Sequence, residues 1–220
     1  YTKAILGADR NIPSNGNIGK RMAFFDLSSD DHSHESATVH QVDPTSTSGL
    51  ISRWNLTQHL FMQPVAYEDR KVQDKRLLTF TTEPMHEDFY ITGSVKVVLH
   101  IQFVGTSDPQ IFAYLEEVEL NPAVDGDHKW EEGCVWYITE GQVRPAHRPS
   151  KFARSITSAG FVRHRTYESR YFKPFTSNRK VQEVVFELQP VAHCVKAGKG
   201  IRLALAGADN DNFVTSWEGL

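Results

Sequence analysis

The sequence of 220 residues lacks several features that mark large classes of proteins. Its formal net charge of −3 comes without a basic run, so we expect neither nucleic acid nor an acidic membrane surface as a partner. No apolar run approaches the roughly 20 residues that a membrane-spanning helix needs. Cysteine is scarce: Cys134 and Cys194 are the only two, and we predict free thiols buried within strands rather than a disulfide.

The signatures of common catalytic and cofactor sites are also missing. The nucleophile elbow Gly-x-Ser-x-Gly does not occur, and its nearest approaches are Ser48-Gly49 and residues 158–160. Neither of them follows a buried strand and opens a helix. Phosphate-cradling glycine loops and dinucleotide fingerprints are absent as well. We therefore assign no catalytic residue and no cofactor to this chain.

Possible metal ligands crowd one stretch of the sequence: Asp30, Asp31, His32, His34, Glu35 and His40. Such side chains bind transition metals where rigid elements hold them. The surrounding residues 28–49 favour a charged surface loop instead, so we predict no metal site, and a metal-stabilised protein is the alternative. Residues 209–212 lack the later Gly and Glu of a calcium loop, and we interpret them as a turn after a strand that ends near Ala206.

Residues 1–70 differ in composition from the rest of the chain. They are rich in Asn, Ser, Asp, Gly and Thr, and only residues 22–27 form an apolar run that suits a strand. Within this region, residues 28–49 are predicted to form a long surface loop, and loops of that length are unusual in compact domains unless they wrap a neighbouring surface, which is a first hint of a missing partner. We predict an irregular wrapping extension over residues 1–70 and a β-sandwich over residues 71–220, together forming one structural domain.

Short strands between turn signals dominate from residue 77 onward. The clearest is 95–103, where apolar residues at odd positions alternate with mostly polar ones. Residues 111–115 are apolar on both sides, which is typical of a strand covered on both faces. The other candidate strands are 77–82, 134–138, 184–188 and 201–206. Glu140-Gly141 is predicted to end the second of these, and turn glycines at 198 and 200 precede the last. Without helical spacing of apolar residues, the pattern predicts an all-β fold: an antiparallel β-sandwich of the jelly-roll type.

Three ordered stretches resemble one known family. They are Thr79-Phe-Thr-Thr-Glu-Pro84 with Ile91-Thr-Gly93, then Tyr137-Ile-Thr-Glu-Gly141-Gln-Val-Arg144-Pro-Ala-His147-Arg148, and finally residues 186–213, which contain Arg202-Leu-Ala-Leu-Ala-Gly207-Ala-Asp209. Together they are similar to the C-terminal, non-catalytic domain of X-Pro dipeptidyl-peptidases and CocE/NonD hydrolases, such as cocaine esterase and α-amino acid ester hydrolases. The resemblance extends over residues 76–213.

The resemblance implies a galactose-binding-like jelly roll that packs against an α/β-hydrolase domain with a Ser-Asp-His triad. The family's catalytic residues have no matching positions in this sequence. We therefore expect an accessory domain of a serine hydrolase that cleaves esters or amides, stabilising the assembly and shaping the substrate pocket. Its expected partner is the catalytic domain, in the same polypeptide or parent protein. An isolated chain would expose the docking surface, and a homo-oligomer is then expected.

Five residues of the matched stretches are candidates for binding or for structural tethering: Arg144, His147, Arg148, Arg202 and Asp209. Arg144 and Arg148 flank a strand end, where guanidinium groups tie loops together through carboxylates or carbonyls. Arg202 lies opposite the core face of its strand, within expected reach of Glu187 or Asp209. For these arginines we favour tethering over ligand binding.

An independent carbohydrate-binding module is the alternative function. Lectin-like jelly rolls are common, and exposed tryptophans can stack on sugar rings. Trp54, Trp130, Trp136 and Trp217 qualify by residue type. Packing in the core or at a domain seam is the role we expect for them.

Overall fold

The structure is a computed structural model that describes residues 3–7, 38–54, 60, 65–104, 106–123, 130–147, 168–175 and 181–214. Strands dominate these residues, which confirms the all-β prediction. The strands are β1 (Lys3–Gly7), β2 (Thr38–Gln41), β3 (Leu78–Thr81), β4 (Phe89–Gly93), β5 (Lys96–Val104), β6 (Ile111–Pro122), β7 (Trp130–Val143), β8 (Gln182–Glu187), β9 (Val191–Val195) and β10 (Lys199–Ala206). A single helical turn, α1 (Lys71–Asp74), precedes β3, and 3₁₀ turns lie at Pro145–His147 and Ser169–Tyr171.

The pairing between strands is antiparallel throughout the described residues. Sheet A has the order β2-β1-β5-β8, sheet B has the order β3-β10-β6-β7, and β4 pairs with β9. Apolar residues of β5 and β8 in sheet A meet those of β6 and β10 in sheet B in one core. This arrangement confirms the antiparallel sandwich, while the jelly-roll connectivity stays a prediction.

Strand β5 shows why the sequence pattern worked. Val97, Leu99 and Ile101 are at most 5% exposed, whereas Val98 on the opposite face is 44% exposed. Alternation with a period of two places one set of side chains in the core and the other towards solvent. β8 follows the same rule, with Val184 and Phe186 in the core.

Strand β6 is covered on both faces, as residues 111–115 predicted, because Ile111 and its next four neighbours are all buried. Strand β7 differs from the prediction, since it continues through Glu140-Gly141 to Val143. Gly141 is paired with Ala113 of β6 rather than lying in a turn. Gly198, in contrast, has a φ of +84°, which suits the turn that was predicted before β10, whereas Gly200, predicted for the same turn, lies inside β10.

The N-terminal region contributes strands to sheet A. β1 pairs with both β2 and β5, so the backbone of residues 3–7 lies inside this sheet. The single strand predicted at residues 22–27 lies outside the described residues, and the division at residue 70 stays a prediction.

The burial predicted for the cysteines is wrong: both are free thiols, but Cys134 is exposed and Cys194 is half-buried. Residues 130–136 of β7 are mostly exposed or half-buried, whereas residues 138–143 are mostly buried, which explains the exposure of Cys134.

We predict that Gly141→Ala lowers the free energy of unfolding by about 1–3 kcal/mol, because an added methyl group has no space. Its Cβ would lie 2.7 Å from the Glu187 carbonyl oxygen and 3.0 Å from Leu188 Cα, both backbone atoms that cannot rotate away. Urea denaturation of the variant measures the loss.

Gly133→Ala in the same strand is the matched control. There the three atoms nearest to the new Cβ belong to the Glu119 side chain (Oε2 at 2.5 Å, Cγ at 2.8 Å and Cβ at 3.0 Å), and rotation about the Glu119 Cα–Cβ bond relieves the two closest contacts. We expect a change within about 1 kcal/mol for this variant. Equal losses in the two variants would contradict the close-approach argument.

Candidate functional site

The outer face of sheet B, turned away from the sandwich core, is itself buried. A second apolar cluster lies there, formed by Phe112, Tyr114, Ala204 and Ala206. Residues 42–54 and 65–77 cross this face, and we call them the covering segment. The sequence suggested that residues 28–49 wrap the surface of a missing partner, but the described part of this range that belongs to the covering segment, residues 42–49, lies on the chain's own sheet. The approach is close: a Cβ on Gly207 would lie 2.6 Å from a methyl group of Val42.

Asp209 fastens one end of the covering segment. It is fully buried, and its carboxylate accepts hydrogen bonds from Ser48 N (3.0 Å), Ser48 Oγ (2.6 Å) and Asn212 Nδ2 (2.9 Å). Its carbonyl oxygen also accepts from Phe213 N at 2.8 Å, which closes the turn predicted after β10. Buried carboxylates need such donors because they have lost their hydration. Asp209 therefore joins the end of sheet B to residues 46–49.

Ser48, one of the two serines nearest to an elbow motif, has a structural role, and the other, Ser158, lies outside the described residues. Ser48 donates its hydroxyl hydrogen to Asp209 and accepts a hydrogen bond from Asn212 Nδ2 at 3.0 Å. Its hydrogen-bond partners within the described part of the chain include no histidine. The arrangement therefore holds a loop and does not resemble an activated nucleophile.

A buried cluster of four ionisable side chains fastens the second stretch of the covering segment, residues 65–77. Arg70 Nε donates to Glu116 Oε1 at 2.9 Å, and Arg202 Nη1 donates to Asp74 Oδ2 at 2.8 Å. All four residues are at most 5% exposed. The Arg70 guanidinium also lies 4.3 Å from the ring centroid of Tyr114. We call Arg70, Asp74, Glu116 and Arg202 the charged cluster.

Burial shifts the titration of groups around this cluster. Loss of hydration is the largest cause that raises the pKa of Glu116 to about 8, and the nearby carboxyl of Asp74 acts in the same direction. Arg70 opposes the shift by favouring the charged carboxylate. Burial also raises the pKa of Tyr114 well above its ordinary value, and the charge of Asp209 adds to this effect.

A third contact fastens the covering segment to β7. Arg53 Nε donates to Glu140 Oε1 at 2.6 Å, and Arg53 Nη2 donates to the hydroxyl of Tyr137 at 2.8 Å. The Tyr67 hydroxyl donates to the same Glu140 oxygen at 3.1 Å, and the Tyr67 and Tyr137 rings stack with centroids 3.7 Å apart. Burial, followed by the charge of Glu140, raises the pKa of Tyr137. The segment is thus held at three successive points.

The structure places two of the five predicted residues in these contacts, Asp209 and Arg202. The partners suggested for Arg202, Glu187 and Asp209, are wrong: its guanidinium binds Asp74 and Glu132. Glu187 lies in β8 of the other sheet, so it cannot share the outer face of sheet B with Arg202. The Arg202 side chain does point away from the sandwich core, as its position in the strand predicted.

The other predicted residues lie elsewhere. Arg144 makes a two-pronged contact with Asp108, with Nε 2.8 Å from Oδ1, and its guanidinium lies 5.6 Å from the ring centroid of Phe172. His147 is buried beside the same ring at 5.4 Å. Burial, reinforced by the positive charge of Arg144, lowers the pKa of His147. Arg148 lies outside the described residues.

Sequence reasoning missed the contacts of three residues of the covering segment. They are Arg53 with Glu140, Arg70 with Glu116, and Asp74 with Arg202. One signal was available in β6, where Glu116 follows five apolar residues in a strand predicted to be covered on both faces. A carboxylate in such a strand needs a buried partner. The identity of that partner was not readable, because Arg70 lies 46 residues earlier in the chain.

The alternative sites receive little support. Trp54 packs edge-on against Phe213 at 5.2 Å, and Trp136 is 43% exposed with Lys199 Nζ 4.7 Å from its ring centroid, so a cation occupies a face that a sugar would need. Trp217 lies outside the described residues. An independent sugar-binding function is not favoured.

Of the possible metal ligands between residues 30 and 40, only His40 is described. Burial lowers its pKa, opposed by Asp43. The described ranges contain no group of three or more His, Cys, Asp or Glu side chains that could hold a metal ion. In the same ranges, no helix is long and apolar enough to cross a membrane.

Comparison with known proteins gives one family match. The sequence model described as the X-Pro dipeptidyl-peptidase C-terminal non-catalytic domain matches residues 21–218. Two proteins named "Putative serine esterase", from Mycobacterium bovis and Mycobacterium tuberculosis, are each 35% identical over 182 residues. These alignments cover 80% of this chain and 26% of either relative. The chain thus spans about a quarter of the length of the curated relatives that it matches.

Solved structures give a weaker likeness. A CocE/NonD family hydrolase from Staphylococcus aureus is 15% identical with a TM-score of 0.46, over 68% of this chain and 26% of that chain. An α-amino acid ester hydrolase is 18% identical with a TM-score of 0.46, over 76% of this chain and 24% of that chain.

We predict that Asp209→Ala lowers the free energy of unfolding by about 3–5 kcal/mol, because it leaves several buried donors without an acceptor. Asp211→Ala is the control: this exposed residue accepts one hydrogen bond from Thr47 Oγ1. Its expected cost is below about 1 kcal/mol. Chemical denaturation measures both, and a small loss in Asp209→Ala would show that residues 46–49 are held by other contacts.

Proposed function

The chain belongs to the family of X-Pro dipeptidyl-peptidase C-terminal non-catalytic domains, and from this membership we propose that it is the accessory β domain of a serine hydrolase. In this proposal it docks on an α/β-hydrolase catalytic domain of the same polypeptide or parent protein. It stabilises that assembly and helps to shape the pocket in which esters or amides are cleaved. The observation that carries the proposal is the family match over residues 21–218.

The length of the relatives supports a partner domain. The curated relatives carry the name of serine esterases, and this chain aligns with 26% of their length. A nucleophile elbow is absent from the sequence of this chain. The catalytic machinery of such an esterase then belongs to the part of the polypeptide that lies outside this alignment.

The exposed side of the covering segment offers the docking surface. Ile51 and Val65 are each 40% exposed, and the backbone hydrogen bond from Ala66 N to Ile51 O, 3.2 Å long, brings their two stretches together. Val72 of α1, further along the same segment, is 66% exposed. Apolar side chains of this kind, on a chain that spans a quarter of its relatives, suit burial against the remaining three quarters.

The contacts beneath this surface support a fixed geometry. Arg53 and Arg70 tie the segment to β7 and β6 on either side of residue 65, and Asp209 ties its first part. A surface that is already ordered loses little conformational entropy when a partner binds. This property suits a domain that positions one wall of a substrate pocket.

We predict that the isolated chain shows no turnover of nitrophenyl esters or X-Pro amides above background. The catalytic part of the parent hydrolase, supplied separately, should gain thermal stability and activity when the chain is added. Turnover by the chain alone that disappears on substitution of one of its serines would overturn the proposal. The proposal would also be overturned if the thermal stability and activity of the catalytic part do not change when the chain is added.

We predict that Ile51→Asp weakens this association by at least about tenfold, since a charge would be buried at the interface. Val98→Asp is the control, because Val98 is similarly exposed (44%) but lies on the outer face of sheet A. Calorimetric titration measures both affinities, with circular dichroism to confirm that each variant is folded. Equal affinities for Ile51→Asp and the unsubstituted chain would place the docking surface elsewhere.

A further inference from the structure

Within the charged cluster, two buried carboxyl groups each leave one oxygen without a donor. Arg70 Nε binds only Oε1 of Glu116, and Arg202 Nη1 binds only Oδ2 of Asp74. Glu116 Oε2 and Asp74 Oδ1 have no hydrogen-bond partner in the described part of the chain. Glu116 is 0% exposed and Asp74 is 5% exposed, so both oxygens are shielded from bulk solvent. Buried acceptors in this state are costly.

A single proton would satisfy both oxygens. The carboxyl groups of Glu116 and Asp74 are neighbours in the charged cluster, and the interaction between them contributes to the raised pKa of Glu116. Two carboxylates cannot donate to one another, whereas a neutral carboxyl group has one O–H donor. A proton on Glu116 Oε2 can be donated to Asp74 Oδ1. Glu116 is the more buried of the two, so it is the group for which the charged form costs more.

The charges around the pair favour the same state. Arg70 and Asp74 face Glu116 from the covering segment, and Arg202 reaches in from β10. Glu132 of β7 binds the other side of Arg202 at the half-exposed rim, and Tyr114 of β6 lies under Arg70. With Glu116 charged, three carboxylates face two guanidinium groups. With Glu116 neutral, two negative charges balance two positive charges.

We propose that Glu116 is a neutral carboxyl group that shares its proton with Asp74, and that loss of this proton at alkaline pH loosens the hold of the covering segment on sheet B. The covering segment would be affected because the Glu116–Asp74 pair joins it to sheet B: Asp74 lies in α1 of the segment and Glu116 lies in β6. Arg70 N also bonds to Val135 O at 2.9 Å, and Val135 N bonds to Asp69 Oδ1 at 2.9 Å, so a shift of α1 strains the neighbouring backbone contacts.

The direction of the pH effect follows from proton binding. The pKa of Glu116 is raised from 4.5 to about 8 in the folded chain, so the folded state binds more protons than the unfolded state between these values. The stabilisation is complete below about pH 4.5 and is lost as the pH rises to about 8. Above that interval the folded chain contains two facing carboxylates.

The first test compares the unsubstituted 220-residue chain with Glu116→Gln by urea denaturation between pH 5 and pH 9. The glutamine amide can donate to Asp74 and its oxygen can accept from Arg70, so the variant imitates neutral Glu116 without titrating. The folding constant of the variant relative to the unsubstituted chain should rise by up to about tenfold per pH unit. Glu131→Gln, at an exposed position of β7, should give a flat ratio. Parallel curves for Glu116→Gln and the unsubstituted chain would overturn the proposal.

The second test does not depend on the folding of a variant. The ¹³C side-chain carboxyl resonance of Glu116, assigned through its bonded neighbours in the unsubstituted chain, should titrate with a midpoint near 8. A midpoint near the ordinary value of 4.5 would refute the shared proton.

Limited digestion with trypsin is the third test, and it reports on the covering segment. At pH 9, cleavage after Lys71, Lys75 or Arg76 should be slower in Glu116→Gln than in the unsubstituted chain. Equal cleavage would refute the loosening.

Discussion

Pairing of buried charges across the outer face of sheet B is the constraint on which the rest of this structure depends. β6 and β10 carry Glu116 and Arg202 on that face, and neither side chain can be buried without partners for its polar atoms. The covering segment supplies both partners, Arg70 and Asp74. A sheet that would otherwise need a second apolar layer is therefore closed by a long, mostly irregular stretch of chain.

Buried ion pairs of this kind do more for geometry than for stability. The cost of removing these ionisable groups from water offsets much of their attraction, and apolar residues would fill the same space at a lower cost in free energy. What apolar residues would not provide is a fixed position for the segment. In our proposal this position matters, because Ile51, Val65 and Val72 must present a defined surface to a catalytic domain.

The strand pattern could be read from the sequence because it depends on near neighbours. Alternation in β5 and the apolar run that opens β6 identified strands with one and two covered faces, and the motif-like stretches led to the correct family. The structure explains why two positions in those stretches are occupied by glycine. Gly141 lies against the backbone of residues 187 and 188, and Gly207 lies against Val42, so a side chain at either position would collide. The β7 boundary was misjudged because a glycine that allows close approach looks the same in a sequence as one that ends a strand.

The sequence by itself determined the fold class, the buried face of β5, the double coverage at the start of β6 and the family, since these follow from periodicity and from the order of short motifs. Only the tertiary structure decided which charges meet. Arg70 and Glu116 are 46 residues apart, and Arg202 and Asp74 are 128 residues apart. No local pattern links such positions. Their pairing is set by which strands neighbour each other in sheet B and by the path of the covering segment over its outer face.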